Sequence, residues 1–342
     1  MASVVMADDG IAFDGATAEA GPLGGAETAF VALAEALVAR GHDVRAFSRG
    51  AASLRHRGVS WATIDTAAPR SCDLYIGNRG HRLIGLVPCP RRRVLWLHNP
   101  AHYLRKPRLS LRIAWHRPLL VTTGAYHAST IPSWLLDGGR VVIPYGVLDR
   151  FRHAEPREPP APRAVFTSNP LRGLDWLLDL WVGRIKPAVP AAELHIYAGN
   201  AVYGGAGKYA DRINSILARA DTLREAGIYK HEPVGREQLV DVLTAARAML
   251  YRGDPGETFC LALAEAQALG VPAVVTPLGS VGERVADNVS GRVANSDDAF
   301  VEAAIATLRD DDLWRQWHKG ALARQRGLSW DEVAQRFEAL IP

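Results

Sequence analysis

Apolar residues along this chain fall into two rhythms. Short apolar runs bounded by Gly, Asp, Asn or Pro occupy residues 2–7, 43–48, 73–77, 93–98, 119–123 and 141–143, and again 164–167, 193–197, 249–251, 271–275 and 288–293. Each has the length and content of a strand. Between them lie longer stretches with apolar positions three and four apart, clearest over 29–40, stopped by Gly41, and over 259–269, closed by Gly270. Strands that alternate with helices build parallel sheets covered on both faces, so the expected fold is α/β with doubly wound sheets. A chain of 342 residues exceeds one ordinary core and predicts two domains. The Pro-rich, charged run Glu155-Pro-Arg-Glu-Pro-Pro-Ala-Pro162 reads as a semi-rigid linker. The expected organisation is therefore a first domain over 1–150, a linker over 151–163, a second domain over 164–325 and a last helix over 326–342, with Ser329-Trp-Asp-Glu as its start and Trp314, Trp317 and Trp330 as packing anchors.

Composition narrows the class. Charged residues make up 22% of the chain and no apolar stretch has the length of a membrane span. The first nine residues place no basic region ahead of a hydrophobic one, as a signal peptide would. Cys72, Cys89 and Cys260 have neither metal-ligand spacing nor an even count and read as reduced thiols of a cytoplasmic protein. The net charge of +4 is mild and predicts no nucleic-acid partner. Its distribution is uneven: Arg91-Arg92-Arg93, Arg105-Lys-Pro-Arg108 and the stretch from Arg112 to Arg117 are interleaved with Tyr103, Leu109, Leu111, Ile113 and Trp115. Two readings stand side by side, a surface for anionic lipid or phosphorylated glycan and a solvated basic helix.

The candidate chemistry gathers in Gly253-Asp-Pro-Gly-Glu-Thr-Phe-Cys-Leu and the helical run after it. Thr258 is placed to cap that helix, which leaves the amides of Phe259, Cys260 and Leu261 free for an anion, with Glu257 at its mouth and Glu265 two turns in. The spacing Glu-x7-Glu is not decisive, because Glu19, Glu27 and Glu35 share it and read as solvated charges on a helix surface. In the first half, the loop ending Gly-Pro-Leu-Gly24-Gly25-Ala-Glu27 lies between a strand and a helix, too far downstream for a dinucleotide fingerprint. His98 ends a strand, where ligands bind in open α/β sheets, whereas His102 and His127 have only loop placement to recommend them. Tyr203-Gly-Gly-Ala-Gly-Lys208 lacks the closing residues of a P-loop, and Asp310-Asp-Asp312 reads as a helix terminus rather than a metal motif.

Taken with their surroundings, these segments resemble the retaining GT-B glycosyltransferases of family 4. The resemblance implies two Rossmann-like domains facing a cleft, with the last helix crossing back to the first. It implies that Glu257 meets a donor sugar, Glu265 holds the nucleotide ribose, and the segment Thr258, Phe259, Cys260 and Leu261 receives the diphosphate. Gly24 and Gly25 would approach the donor phosphate, Gly199 would border the nucleotide, and His98 in Trp-Leu-His-Asn-Pro would lie near sugar and acceptor. In the loop Thr167-Ser168-Asn169-Pro-Leu-Arg172-Gly, Arg172 stands at the family's Lys position and the family's upstream Arg is missing. Leu278-Gly-Ser-Val-Gly-Glu283 resembles the Gly-Gly-x-x-Glu loop, and Tyr145 stands where Asn is usual in a Pro-Asn-Gly-Val-Asp turn. The activity so implied is sugar transfer with retention from a nucleotide-sugar donor such as a UDP- or GDP-sugar, without metal or cofactor. The basic and aromatic stretch from Arg91 to Arg117, which flanks His98, adds the expectation of a glycan or lipid-linked acceptor and of a cytoplasmic protein in peripheral contact with the anionic membrane face. The alternatives are a GT-B sugar-nucleotide epimerase and a nucleotide-sugar-binding protein without catalysis.

Overall fold

The structure, a computed structural model, describes residues 1–21, 23–50, 53–199 and 209–342. Asn200 and the Gly-rich loop 203–208 lie outside the described residues, as does Pro22. The chain divides into two compact units, Met1–Gly146 with Leu328–Pro342, and Val147–Gly327.

In the first unit the strands are β1 Ser3–Asp8, β2 Asp43–Ser48, β3 Leu54–His56, β4 Val59–Thr63, β5 Ser71–Asn78, β6 Cys89–Trp96, β7 Leu119–Thr122 and β8 Arg140–Val142. They form one sheet in the order β3-β4-β2-β1-β5-β6-β7-β8, parallel except for the β3–β4 hairpin. Val4 to Ala7 are buried on both faces, as a central parallel strand requires. The chain leaves β1 to one side for β2 and to the other for β5, so the sheet's switch point lies between the carboxyl ends of β1 and β5, where Asp8 and Asn78 are paired in register. The helix Gly25–Ala39 packs against the last helix, Trp330–Glu338, which belongs to this unit. Ser329 caps that helix through a reciprocal box with Glu332, as its sequence predicts.

The second unit holds β9 Arg163–Phe166, β10 Glu193–Tyr197, β11 Ile228–His231, β12 Ala248–Tyr251, β13 Ala273–Val275 and β14 Gly291–Val293, all parallel, in the order β11-β10-β9-β12-β13-β14. Its switch point lies between β9 and β12. Both sheets are therefore doubly wound, and the α/β expectation holds.

Several local expectations change. The boundary falls at Gly146/Val147, and 151–163 is no detached linker: Asp149–Arg152 is a helix against Leu261–Ala268, and the Arg157 guanidinium donates to the Leu269 carbonyl at 2.8 Å. Proline content fixed the segment's extension, but its Arg side chains dock it. The strands β3, β4 and β11 depart from the expected set, since their short, mixed-polarity sequences carry weak alternation. Asp310 caps the helix Asp311–Arg324 by accepting from the amides of Asp312 and Leu313, which bears out the helix-terminus reading.

Candidate functional site

At the switch point of the second unit, the loop after β9 and the loop after β12 meet. Tyr251, the last residue of β12, donates its hydroxyl to Glu257 Oε2 at 2.6 Å and lies 3.1 Å from Ser168 Oγ, just beyond β9. Arg172 forms an ion pair with the other Glu257 oxygen. Gly173 follows in the left-handed region, φ 91°, packed where a side chain would meet Arg252, and this turn aims Arg172 back across the loop. Glu257 itself is buried at 2% exposure. Burial works against the Arg172 charge, but the carboxylate beside it wins and holds the guanidinium above its ordinary range. Burial pushes the Tyr251 hydroxyl up, so it stays a donor.

Asn169 turns the loop by accepting from the Leu171 amide at 2.9 Å. Gly199 lies buried beyond β10 against the Pro233 ring, which excludes a Cβ there. The loop carrying Glu257 is tied to the loop after β13: Ser280 donates its amide to the Glu257 carbonyl at 3.0 Å, and Gly279, φ 61°, approaches the backbone of Asp254 and Glu257.

The helix after Glu257 begins later than its sequence suggests. Thr258 is not its cap. The first helical residue is Leu261, and Cys260 precedes it in the left-handed conformation, φ 64°. Phe259 is buried beneath the Arg284 guanidinium, 4.5 Å from its ring centroid, and this packing overrides the capping preference of Thr258. Of Phe259, Cys260 and Leu261, only Leu261 contributes a first-turn amide, and all three side chains are buried, as is Thr258. Burial, then Glu257, pushes the Cys260 thiol well up, so it is no nucleophile. Arg284 brings a second guanidinium beside this helix start, from a loop to which the sequence pattern gave no charge role.

Glu265, on one face of the same helix, is 1% exposed and pairs through Oε1 with Arg236, the first residue of the helix Arg236–Thr244. Its Oε2 is buried without a hydrogen-bond partner. Tyr251, Arg236 and Arg284 are absent from the sequence expectations; an Arg or Tyr at a strand end or helix start is too common to single out.

In the first unit, the switch point holds a connected polar chain. Arg79, in a left-handed turn at φ 46°, donates to Asp8 Oδ2 at 2.9 Å and to Glu27 Oε1 at 2.7 Å. Asn78 donates its amide to Asp8 and presents its oxygen to His98 Nε2, while Tyr145 bonds His98 Nδ1. Because a carboxylate only accepts, the Asn78 amide faces Asp8, so His98 carries its proton on Nε2 and accepts from the Tyr145 hydroxyl at Nδ1. Burial first, then Arg79 and His127, hold His98 well below its ordinary range, so the imidazole is neutral. Both its ring nitrogens are engaged. Tyr145, where the resemblance implied Asn, thus fixes the orientation of His98.

Glu27 corrects the surface reading given to it: it is 6% exposed, ion-paired with Arg79, and folds back over Gly24, where a Cβ would collide with its carboxylate. Gly24 precedes, and Gly25 begins, the helix that carries it. His127 is a framework residue, accepting from the Thr123 amide at 3.2 Å and donating to the Asn99 carbonyl at 3.0 Å, its pKa lowered to about 4 by burial. His102 is exposed.

The basic stretch resolves into two parts. Leu109 and Ile113 pack in the core, Arg93 is tied to the carbonyls of Ile84 and Pro88, Arg92 to that of Leu340, and Arg91 pairs with Asp73. The other face of the helix Pro107–His116 presents Leu111, 70% exposed, and Trp115, 85% exposed, in line with Arg108. Trp134 and Leu136 are also exposed, on a loop whose Ile131 and Leu135 share that helix's core cluster.

Residues 161–310 match the family model described as Glycosyl transferases group 1. The chain is 32% identical over 210 residues to a D-inositol 3-phosphate glycosyltransferase of Xylanimonas cellulosilytica, covering 56% of this chain and 48% of that protein. It is 29% identical over 246 residues to the protein of that name from Frankia alni, covering 65% and 58%. The chain thus spans about half the length of the curated relatives it matches. Among solved structures it resembles the sucrose-phosphate synthase of Thermosynechococcus elongatus, TM-score 0.75 at 14% identity over 99% of this chain and 98% of that one. It also resembles Anabaena HepE in complex with UDP and glucose, TM-score 0.72 at 13% identity over 99% of each chain.

Proposed function

We propose that this chain, which has the GT-B fold and carries a group 1 glycosyl transferase segment in its second unit, is a retaining glycosyltransferase that uses a nucleotide-sugar donor. The observation that carries the reading is that a buried Glu257, held at the switch point by buried Tyr251 and partly exposed Arg172, is followed on the next helix by a buried Glu265 oxygen that lacks a partner. In this reading Glu257 binds sugar hydroxyls more strongly as charge develops on the ring, and Glu265 accepts from the ribose. Arg172 stabilises the leaving diphosphate. The donor's own phosphate oxygen receives the acceptor's proton, which keeps the anomeric configuration without an enzymic nucleophile. His98, neutral and locked by Asn78 and Tyr145, serves as a fixed ring rather than a proton carrier. A UDP-sugar is the first donor to test, since HepE was solved with UDP and glucose. A thermal-shift screen of UDP-, GDP-, ADP- and dTDP-sugars should give a rise in melting temperature with one base. Slow release of radiolabelled sugar of retained configuration, without acceptor, should follow with that donor. No shift with any of them would remove the proposal.

The charge at the diphosphate is supplied by guanidinium and helix amides, so turnover is expected to be unchanged in excess EDTA. Strict dependence on Mn²⁺ or Mg²⁺ would count against Arg172 as the stabilising cation.

The acceptor is an anionic glycan or lipid-linked molecule in this reading; the Xylanimonas and Frankia relatives are named for transfer to D-inositol 3-phosphate, a phosphorylated polyol. The exposed Leu111, Trp115 and Arg108, with Arg105 and Lys106 at the helix start, suit a bilayer bearing anionic lipid, apolar bodies entering the interface and cations meeting phosphates. No helix among the described residues is long and apolar enough to cross a membrane. Each cation near such a surface contributes about 1 kcal/mol, so changing Arg105, Lys106 and Arg108 to Glu should abolish cosedimentation with phosphatidylserine vesicles at low salt. Equal sedimentation of wild type and variant would exclude this face.

A further inference from the structure

The Arg236–Glu265 pair extends the site by a residue with no role so far. Glu265 lies on a helix that is buried nearly all round, and the residue is 1% exposed. One oxygen takes the Arg236 guanidinium, the other has no hydrogen-bond partner. A buried acceptor with nothing to accept costs free energy of its own, so it is retained where a ligand donor completes it. Arg236 lies at the start of a helix that follows β11, at the carboxyl side of the sheet, where ligands of such sheets bind. On the reading of Glu265 as the acceptor for a nucleotide ribose, we infer that Arg236 is the positioning residue of that site: it keeps Glu265 ionised and turned so that Oε2 faces the ribose diol.

The surroundings leave Arg236 alone in that task. The helix of Glu265 packs on Asp149–Arg152, on Asp311–Arg324 and on β13. Asp149 pairs with Arg152, Arg150 with Glu237, Arg315 with Glu158 and Asp312, and Asp311 with Arg247. His318 bonds the Gly270 carbonyl, Lys319 and Arg324 are exposed, and β13 carries no charge. Burial raises the Glu265 carboxyl, and the one group that opposes it is Arg236. Without that guanidinium the carboxyl rises further, so its ionisation moves toward neutral pH and is recovered only as the pH rises.

The test is calorimetric titration of the full chain with UDP, GDP and ADP, then of the variants with whichever binds, between pH 6 and 9, with inorganic pyrophosphate as the second probe. Arg236→Met is expected to weaken the nucleoside diphosphate at least thirtyfold at pH 7 and to regain most of that by pH 9. Wild type should vary less than threefold over the range. Pyrophosphate affinity should stay within twofold, and Arg236→Lys should restore nucleotide affinity to within fivefold with a flat pH profile. A Met variant that binds like wild type, or loses nucleotide and pyrophosphate equally at every pH, overturns the positioning role. If wild type binds pyrophosphate and no nucleoside diphosphate, the ribose reading of Glu265 fails and takes the inference with it.

Discussion

Glu257→Gln is expected to lower kcat for sugar transfer about a hundredfold, a loss of about 2.7 kcal/mol of transition-state stabilisation. Gln keeps the shape of the side chain and still accepts from the Tyr251 hydroxyl, so the fold is retained. What is lost is the negative charge, which anchors Arg172 and, in the proposed function, faces developing positive charge on the sugar ring. Because the interaction strengthens in the transition state, kcat should fall by much more than nucleotide affinity, which loses only the anchoring of Arg172. Steady-state kinetics with the donor identified by the screen decides it. Unchanged turnover would reduce Glu257 to a structural counter-ion of Arg172.

The largest stability loss is expected at Phe337. It is fully buried in the last helix, edge-on to Trp96 of β6 at 5.1 Å, with Trp330, Val333 and Ala334 buried on the same face. Phe337→Ala removes that ring from a site walled by a sheet and the helix Gly25–Ala39, which cannot close over the cavity, and should cost about 3–5 kcal/mol. Urea unfolding followed by Trp fluorescence measures it. A cost below about 1 kcal/mol would mean that the helix contributes little to the first unit.

Fold and site were legible to different depths. The central strands could be read because burial on both faces makes them continuous apolar runs, as in Val4 to Ala7 and Met249 to Tyr251. The last helix could be read from its capping box and Trp330. The edge strands β3 and β11, and β4 beside β3, could not, since their short sequences of mixed polarity carry weak alternation. At the site, the loop–helix–strand pattern located Glu257 and Glu265, but their partners Tyr251, Arg172 and Arg236 come from β12, the loop after β9 and the helix after β11, brought together by topology rather than sequence spacing. Glu27 looked like a solvated charge because helical spacing gives a face, and only the turn at Arg79 shows what that face meets. The helix starts after Cys260 rather than after Thr258 because the burial of Phe259 outweighs a local capping preference.

The last helix belongs to the first unit although Val147–Gly327 intervenes. On the ribosome, the apolar face of Gly25–Ala39 and the Trp96 end of β6 emerge early and must wait for Trp330 and Phe337 until the entire second unit has been synthesised. The order of completion is therefore the reverse of the order of emergence: the second unit can finish first, while the N-terminal one remains an open intermediate with exposed apolar surface. Chain interrupted anywhere in the second half should thus be cleared as aggregate or proteolytic substrate, however well its first sheet has formed.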